Sequence, residues 1–341
     1  MLNELNSVES LEGFSVQSLR NQELKSLDHS SEKWTKYFLD SREIGLLREM
    51  RGRADIPALG RFLNIDVGIV TGDNDYFLLD ESTVNDFHLD AHSVPVVGRS
   101  AALPGIQFTQ RDLEHWASEG KAARLFVPKR PFSAGVRKYV TSGEQRGVQS
   151  GYKCRIRKEW FVVPAVWTPD VFFLRQADSA PRIIANTTDA TCTDTLHRGR
   201  VLDGAAADTL AMAFVNSLTW AVSEVSGRSY GGGVMTYEPS EVERLPLPVS
   251  GSESLDLSTL DALIRERNLE VALDIVDRVL LVEGCGISRR DVFALRRIWE
   301  KLRDRRRGRK GRSKTTAPYQ GQADTTSGGE AARTGLTKLI A

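Results

Sequence analysis

The hydrophobic pattern changes period once along the chain, near residue 203, and that change constrains the fold more than any other feature. Residues 34–202 carry short apolar runs rich in β-branched and aromatic residues, broken by Gly, Pro and Asp. Such runs read as strands, here over 64–70, 75–79, 94–98, 123–128, 160–166, 171–175 and 182–186. Two short helices interrupt them. Asp40, with Glu43 three residues on, caps a helix over 41–51, and Thr109 caps one over 110–118. From residue 204 to 311 the spacing turns helical. Leu210, Phe214, Val215, Leu218 and Val222 share a face over 204–226, and Gly227 fits the stop position. Helices over 258–267 and 269–283 follow. A last one starts at Ser288 and aligns Val292, Leu295, Ile298, Trp299 and Leu302. Strands clustered first and helices second give a mixed α+β chain, a strand-rich module followed by a helical C-terminal region. Residues 313–341 hold few large apolar groups and are expected to form a disordered tail. The expected boundaries are 1–33, 34–250, 251–312 and 313–341.

Length and charge bound the function class. The chain has 341 residues, enough for at least one sizeable core. Its net charge of +1 hides an asymmetry. Residues 289–314 hold 13 Lys and Arg against 3 Asp and Glu, a local charge of +10, which leaves the rest at −9. Cys154, Cys192 and Cys285 stand far apart without CxxC spacing, so neither a disulfide framework nor a zinc ribbon is expected. Acidic residues near the start do not resemble a secretory leader. The greasiest stretch, 271–282, is broken by Asp274, Asp277 and Arg278. A cytoplasmic protein without a membrane partner is expected.

Several familiar chemistries are absent from the sequence. It has no GxGxxG after a strand, no GxxxxGK[ST], no GxSxG and no HExxH. His88 and His92 stand four apart, but the segment looks extended and the pair is expected at the surface rather than on a metal. Asp73 and Asp75 flank Asn74 without the rest of a calcium loop.

Three segments stand out. Val67–Phe77 reads as strand, tight turn, strand: either a plain hairpin turn or a loop that presents polar groups. Tyr152–Pro164 interleaves basic residues with aromatics. If extended, it points Lys153, Arg155 and Arg157 to one face, either as phosphate contacts or as a charge-guarded strand edge. Ser226–Met235 ends a helix in three glycines, either a flexible connector or a point of close backbone approach to a ligand or to the protein itself.

Taken in order, these segments and their neighbours resemble one family. The matching stretches are Glu32–Leu39, VGIVTGDNDYF (67–77), VPVVGRS (94–100), GIQFT (105–109), YKCRIRKEWFVVP (152–164), RIIANTTDATCTDTLHR (182–198) and residues 214–248. They resemble the C-terminal target-recognition region of TaqI-like N6-adenine DNA methyltransferases of restriction–modification systems. The resemblance implies a mixed α/β module that reads double-stranded DNA. In such enzymes S-adenosylmethionine and the chemistry belong to an N-terminal domain with a Gly-rich loop and an Asn-Pro-Pro-Tyr tetrapeptide. This chain has neither motif. Residues 1–33 are therefore expected to be a remnant or linker from such a domain. A separate catalytic methyltransferase subunit is expected to supply the activity, with no cofactor held in this chain. The alternative is a stand-alone DNA- or protein-binding module, or a gene remnant, that keeps the scaffold without methylation.

The candidate DNA-contacting residues are Thr71, Asn74, Arg99, Lys153, Arg155, Arg157, Lys158, Arg198, Arg228, Tyr230, Gly231 and Gly232. Arg305, Arg306 and Arg307 join them as an auxiliary phosphate-binding arm that adds no core. No catalytic or metal-ligating residue is expected.

Overall fold

The structure is a computed structural model that describes residues 34–202, 204–229 and 232–312. The expectations for 1–33 and 313–341, and those for Tyr230 and Gly231, lie outside the described residues.

Helix α1 (Ser41–Arg51) starts as its sequence dictates. The Asp40 carboxylate accepts the Arg42 and Glu43 N–H groups at 2.9 and 2.8 Å, and Glu43 accepts the Asp40 N–H at 2.8 Å. That reciprocal pairing satisfies helix-end donors that would otherwise lack partners. After α1 come β1 (Leu63–Val67), α2 (Asn74–Phe77), β2 (Leu78–Leu79), α3 (Glu81–Phe87), β3 (Ser93–Val97) and β4 (Gln107–Phe108). Helix α4 (Gln110–Ser118) is capped by Thr109 and leads to β5 (Arg124–Phe126). Helices α5 (Ala134–Gln145) and α6 (Tyr152–Arg155) follow. Strands β6 (Val171–Phe173), β7 (Gln176–Ala177), β8 (Ile183–Asn186), β9 (Thr191–Cys192) and β10 (His197–Val201) complete the strand-rich part. The helical part holds α7 (Ala207–Ala213), α8 (Ser217–Ser226), the short strands β11 (Arg228–Ser229) and β12 (Met235–Thr236), and α9 (Pro239–Glu243). Helices α10 (Leu257–Arg265), α11 (Leu269–Val276) and α12 (Arg289–Arg312) close it. The fold is mixed α+β, as the change of period predicts.

The central sheet has strand order β1-β10-β6-β8-β4, antiparallel except for the parallel β8–β4 pair. Both faces are covered, so its inner strands are apolar without alternation. Val171, Phe173, Ile183 and Ala185 face one core, which runs from Leu39 through the helical part to Leu302. Phe172 and Ile184 face a second, smaller core with Phe108 and Leu196. Residues 251–312 thus pack into the body, with Trp220 of α8 and Trp299 of α12 meeting at 4.8 Å. A second sheet, β2-β5-β3-β9, borders a third core built on aromatics. There Tyr76 stacks on Tyr139 at 4.7 Å and meets Trp160 at 5.2 Å.

The structure corrects several local expectations. Residues 67–77 are not a hairpin. Strand β1 pairs with β10, β2 belongs to the other sheet, and Asp73 caps α2 by accepting the Tyr76 N–H at 3.1 Å. Burial of Tyr76 and Phe77 in the aromatic core favours that turn over an extended run. Residues 160–166 form no strand; their aromatics pack as irregular chain against the same core. The segment from Tyr152 is a helical turn rather than extended, with the Arg155 N–H bonded to the Gly151 carbonyl at 2.9 Å. Parity along a strand therefore does not sort its side chains. The helix expected over 204–226 is two helices, because Asn216 caps α8 through the Thr219 N–H at 2.8 Å. His92 is buried rather than at the surface, its Nδ1 accepting the Lys129 N–H at 3.1 Å.

Candidate nucleic-acid interface

The 70–74 loop and the 152–158 turn are packed on each other. Gly72 has φ +94°, and a Cβ there would lie 2.9 Å from Lys153 Cβ and 3.1 Å from Cys154 Sγ. Only glycine fits both the conformation and the gap. The Arg157 guanidinium clamps the two segments, donating to the carbonyls of Val70 and Thr71 at 2.9 and 2.7 Å. Burial lowers the pKa of Arg157. Cys154 anchors the turn from beneath, fully buried in the aromatic core. What remains outward is Asn74, Lys153, Arg155 and Lys158, all exposed, around Tyr152 and Ile156.

A second cationic element lies across β1. The bridge from Ile69 to Thr193 and the β1–β10 pairing connect it to the loop. Arg198 and Arg200, two apart on β10, share one face of the strand and sit over the Trp167 ring at 4.4 and 4.8 Å. Arg198 itself turns inward. It donates to the Ala165 carbonyl at 2.7 Å and pairs with Asp66 at 3.1 Å. Arg200 is the exposed member and was not among the expected contacts. Its signal was present in the His-Arg-Gly-Arg spacing of 197–200. Arg99 is also exposed, next to Gly98, whose carbonyl accepts the Thr193 and Thr195 hydroxyls.

Four expected contacts are therefore corrected. Thr71 is buried, its hydroxyl donating to Asn74 Oδ1 at 2.6 Å, so it shapes the loop instead of meeting a ligand. Arg157 and Arg198 are spent on backbone carbonyls and Asp66 as described. Arg306 is the clearest case. It is 3% exposed and pairs with Glu224, itself 1% exposed, at 2.7 Å. Burial pushes the Glu224 carboxyl up, and the Arg306 hydrogen bonds oppose that shift.

The auxiliary arm is thus not a free one. Arg305 lies over the Phe38 ring at 3.4 Å and Arg307 pairs with Asp178 at 3.3 Å. The glycine-rich segment is where α12 docks. Gly233 has φ +78°, and a Cβ there would stand 3.0 Å from the Arg306 carbonyl oxygen, while its own carbonyl accepts from Arg306 Nη1. Among the described glycines of this segment, the close backbone approach is made by Gly233 and is to the protein's own last helix. Gly232 is exposed with open space around it, and Arg228 pairs with Glu241 at 3.1 Å.

A cleft of about 640 Å³ opens between the end of the central sheet and α10–α11. Arg182, Arg265, Arg267 and Arg307 line it, with Asp178 as its acidic group. Burial brings the Arg182 guanidinium down to about 10 while it donates to the carbonyls of Leu103, Pro104 and Gly105. Arg265 is neutralised by Asp112 and Asp261. Sequence reasoning missed this cleft because its arginines come from separate segments. Among the described residues no group of three or more His, Cys, Asp or Glu is arranged to hold a metal ion. None of the described helices is long and apolar enough to cross a membrane.

Comparison with known proteins fits this architecture to a family. Residues 31–281 match the C-terminal domain of the type II methyltransferase M.Eco57I. The type II methyltransferase M.AccI of Acinetobacter calcoaceticus is 22% identical over 240 residues, which is 67% of this chain and 41% of that protein. The solved type IIG restriction endonuclease BpuSI superposes with TM-score 0.48 at 12% identity, over 82% of this chain and 34% of its own. The chain spans less than half the length of either. The family match covers the whole described strand-rich part and runs past α11, and the chain belongs to the family of type II methyltransferase C-terminal domains represented by M.Eco57I.

Proposed function

We propose that this chain is the DNA-recognition portion of a site-specific adenine-N6 DNA methyltransferase of a restriction–modification system, of the TaqI-like kind, acting in the cytoplasm. It holds duplex DNA while a separate S-adenosylmethionine-dependent catalytic domain receives the extruded base. Methylation of a base within a duplex requires that extrusion, so a partner surface must grip the flanking duplex. The observation that carries the reading is the 152–158 turn. It is rigidly mounted on the 70–74 loop and surrounded by Lys153, Arg155 and Lys158, all exposed. Such cations supply phosphate contacts, and Asn74 beside them is suited to a base edge.

The cofactor belongs to the other domain. Single Ala substitutions at Lys153, Arg155 and Lys158 test the reading. Each is expected to weaken duplex binding and to flatten the log–log salt dependence by about 0.9 if one phosphate contact is lost. Unchanged isotherms for all three would move the DNA face elsewhere. One observation favours a second reading, a protein-binding module: the basic run leans on the body, and the rest of the chain sums to −9.

A further inference from the structure

Two large apolar side chains stand out of the cationic turn. Tyr152 is 65% exposed and Ile156 is 60% exposed. They are four residues apart on a helical turn, so they share one face. An exposed apolar pair is ordinary when scattered. This one sits on a firmly anchored part of the surface. Cys154 is buried below it, the Arg157 clamp fixes it from the side, and Gly72 packs against its Lys153 and Cys154. Lys153, Arg155 and Lys158 are exposed around it. Of the acids on these segments, Glu159 pairs with Arg130 and Asp73 caps α2, while Asp75 is exposed beside Asn74. Val70, 39% exposed, extends the apolar surface on the loop side.

A rigid apolar projection ringed by cations fits a polyanion with an apolar interior. A base-pair stack inside a phosphate backbone is such a partner. A neutral protein surface would not complement the ring, whereas duplex DNA meets the ring with its phosphates and the tip with its base stack. We propose that Tyr152 and Ile156 form a wedge that enters the duplex at a disrupted base step and fills the space left when a base is extruded. Apolar side chains that insert between base steps unstack them, and the cost falls when the stack is already interrupted. The wedge rests on the DNA-recognition reading and adds to it the place where the helix is opened.

The test compares the full chain on duplexes of about 20 base pairs, one intact and one with a single central abasic site, by fluorescence anisotropy at fixed salt. Wild type is expected to bind the abasic duplex about tenfold tighter or more, because the gap removes the unstacking cost. The Tyr152→Ala/Ile156→Ala variant is expected to bind both duplexes alike, near the wild-type affinity for intact DNA. A Lys158→Ala control should weaken both and keep the preference; Lys153 is left in place because its ammonium lies 5.7 Å from the Tyr152 ring centre. Equal binding of the two duplexes by wild type, or a preference that survives in the double variant, overturns the wedge and leaves DNA recognition standing. Absence of binding to either duplex overturns both. A thermal melt of the double variant checks that it folds, which the exposure of both side chains predicts.

Discussion

At the scale of single residues, burial decides which charged side chains are available to a partner. Arg306 is the strongest example, since its charge is held against Glu224 inside the protein. Removing one member of such a pair leaves the other charge uncompensated. Arg306→Ala is expected to lower stability by about 3–5 kcal/mol, read from urea denaturation. A loss below about 1 kcal/mol would mean the pair is solvated. Asp256 offers a test by pH. Hydrogen bonds from Thr259 and Ser258 hold its carboxyl down at about 2. A folded value below the unfolded one stabilises fully above the unfolded pKa of about 4, and that stabilisation is lost as pH falls through about 2. Asp256→Asn keeps the cap but cannot titrate, so its stability should fall less steeply between pH 4 and pH 2 than that of wild type. Parallel acid dependence for the two proteins would contradict this. Residue type alone did not distinguish Arg155, which is exposed, from Arg157, which is spent on two carbonyls. That difference depends on chain packing from residues 70–71, far away in sequence.

At the scale of elements, local rules carried as far as local chemistry reaches. Helices α1 and α4 lie where the cap signals at Asp40 and Thr109 place them, because capping boxes are closed by residues three apart. Helix α5 is absent from the expected elements, although Ser133 caps it and Val136 and Tyr139 are buried at helical spacing. Residues 160–166 show the opposite failure: their β-prone composition is used to pack an aromatic core, and propensity yields to tertiary contacts. Helix α12 changes most against expectation. Its basic end reads as a solvated or phosphate-binding arm, yet Arg303 covers Trp299 at 4.3 Å and Arg306 reaches Glu224. Removing residues 303–341 is therefore expected to destabilise the body as well as change its charge. The check is a thermal melt of the truncated chain against wild type; an unchanged midpoint would restore the picture of an arm that adds no core.

At the scale of the whole molecule, the change of period near residue 203 made the mixed α+β class legible. The division into cores was not legible, because a single apolar cluster runs from Leu39 to Leu302 across it. The candidate site was half legible. The sequence singled out segments 67–77 and 152–164, which the fold packs on each other, but not their conformation or which cations face outward. Family membership gives the chain a place beside methyltransferases, and the 152–158 turn exposes Lys153, Arg155 and Lys158. The central claim is that this surface grips duplex DNA through phosphates. The most direct test is the affinity of the purified chain for duplex DNA across a salt series. The account predicts measurable binding whose log–log slope against salt is about −0.9 for each phosphate contacted, and a smaller slope when Lys153 and Arg155 are both replaced by Ala. Binding that does not change with salt, or no binding at low salt, would contradict it.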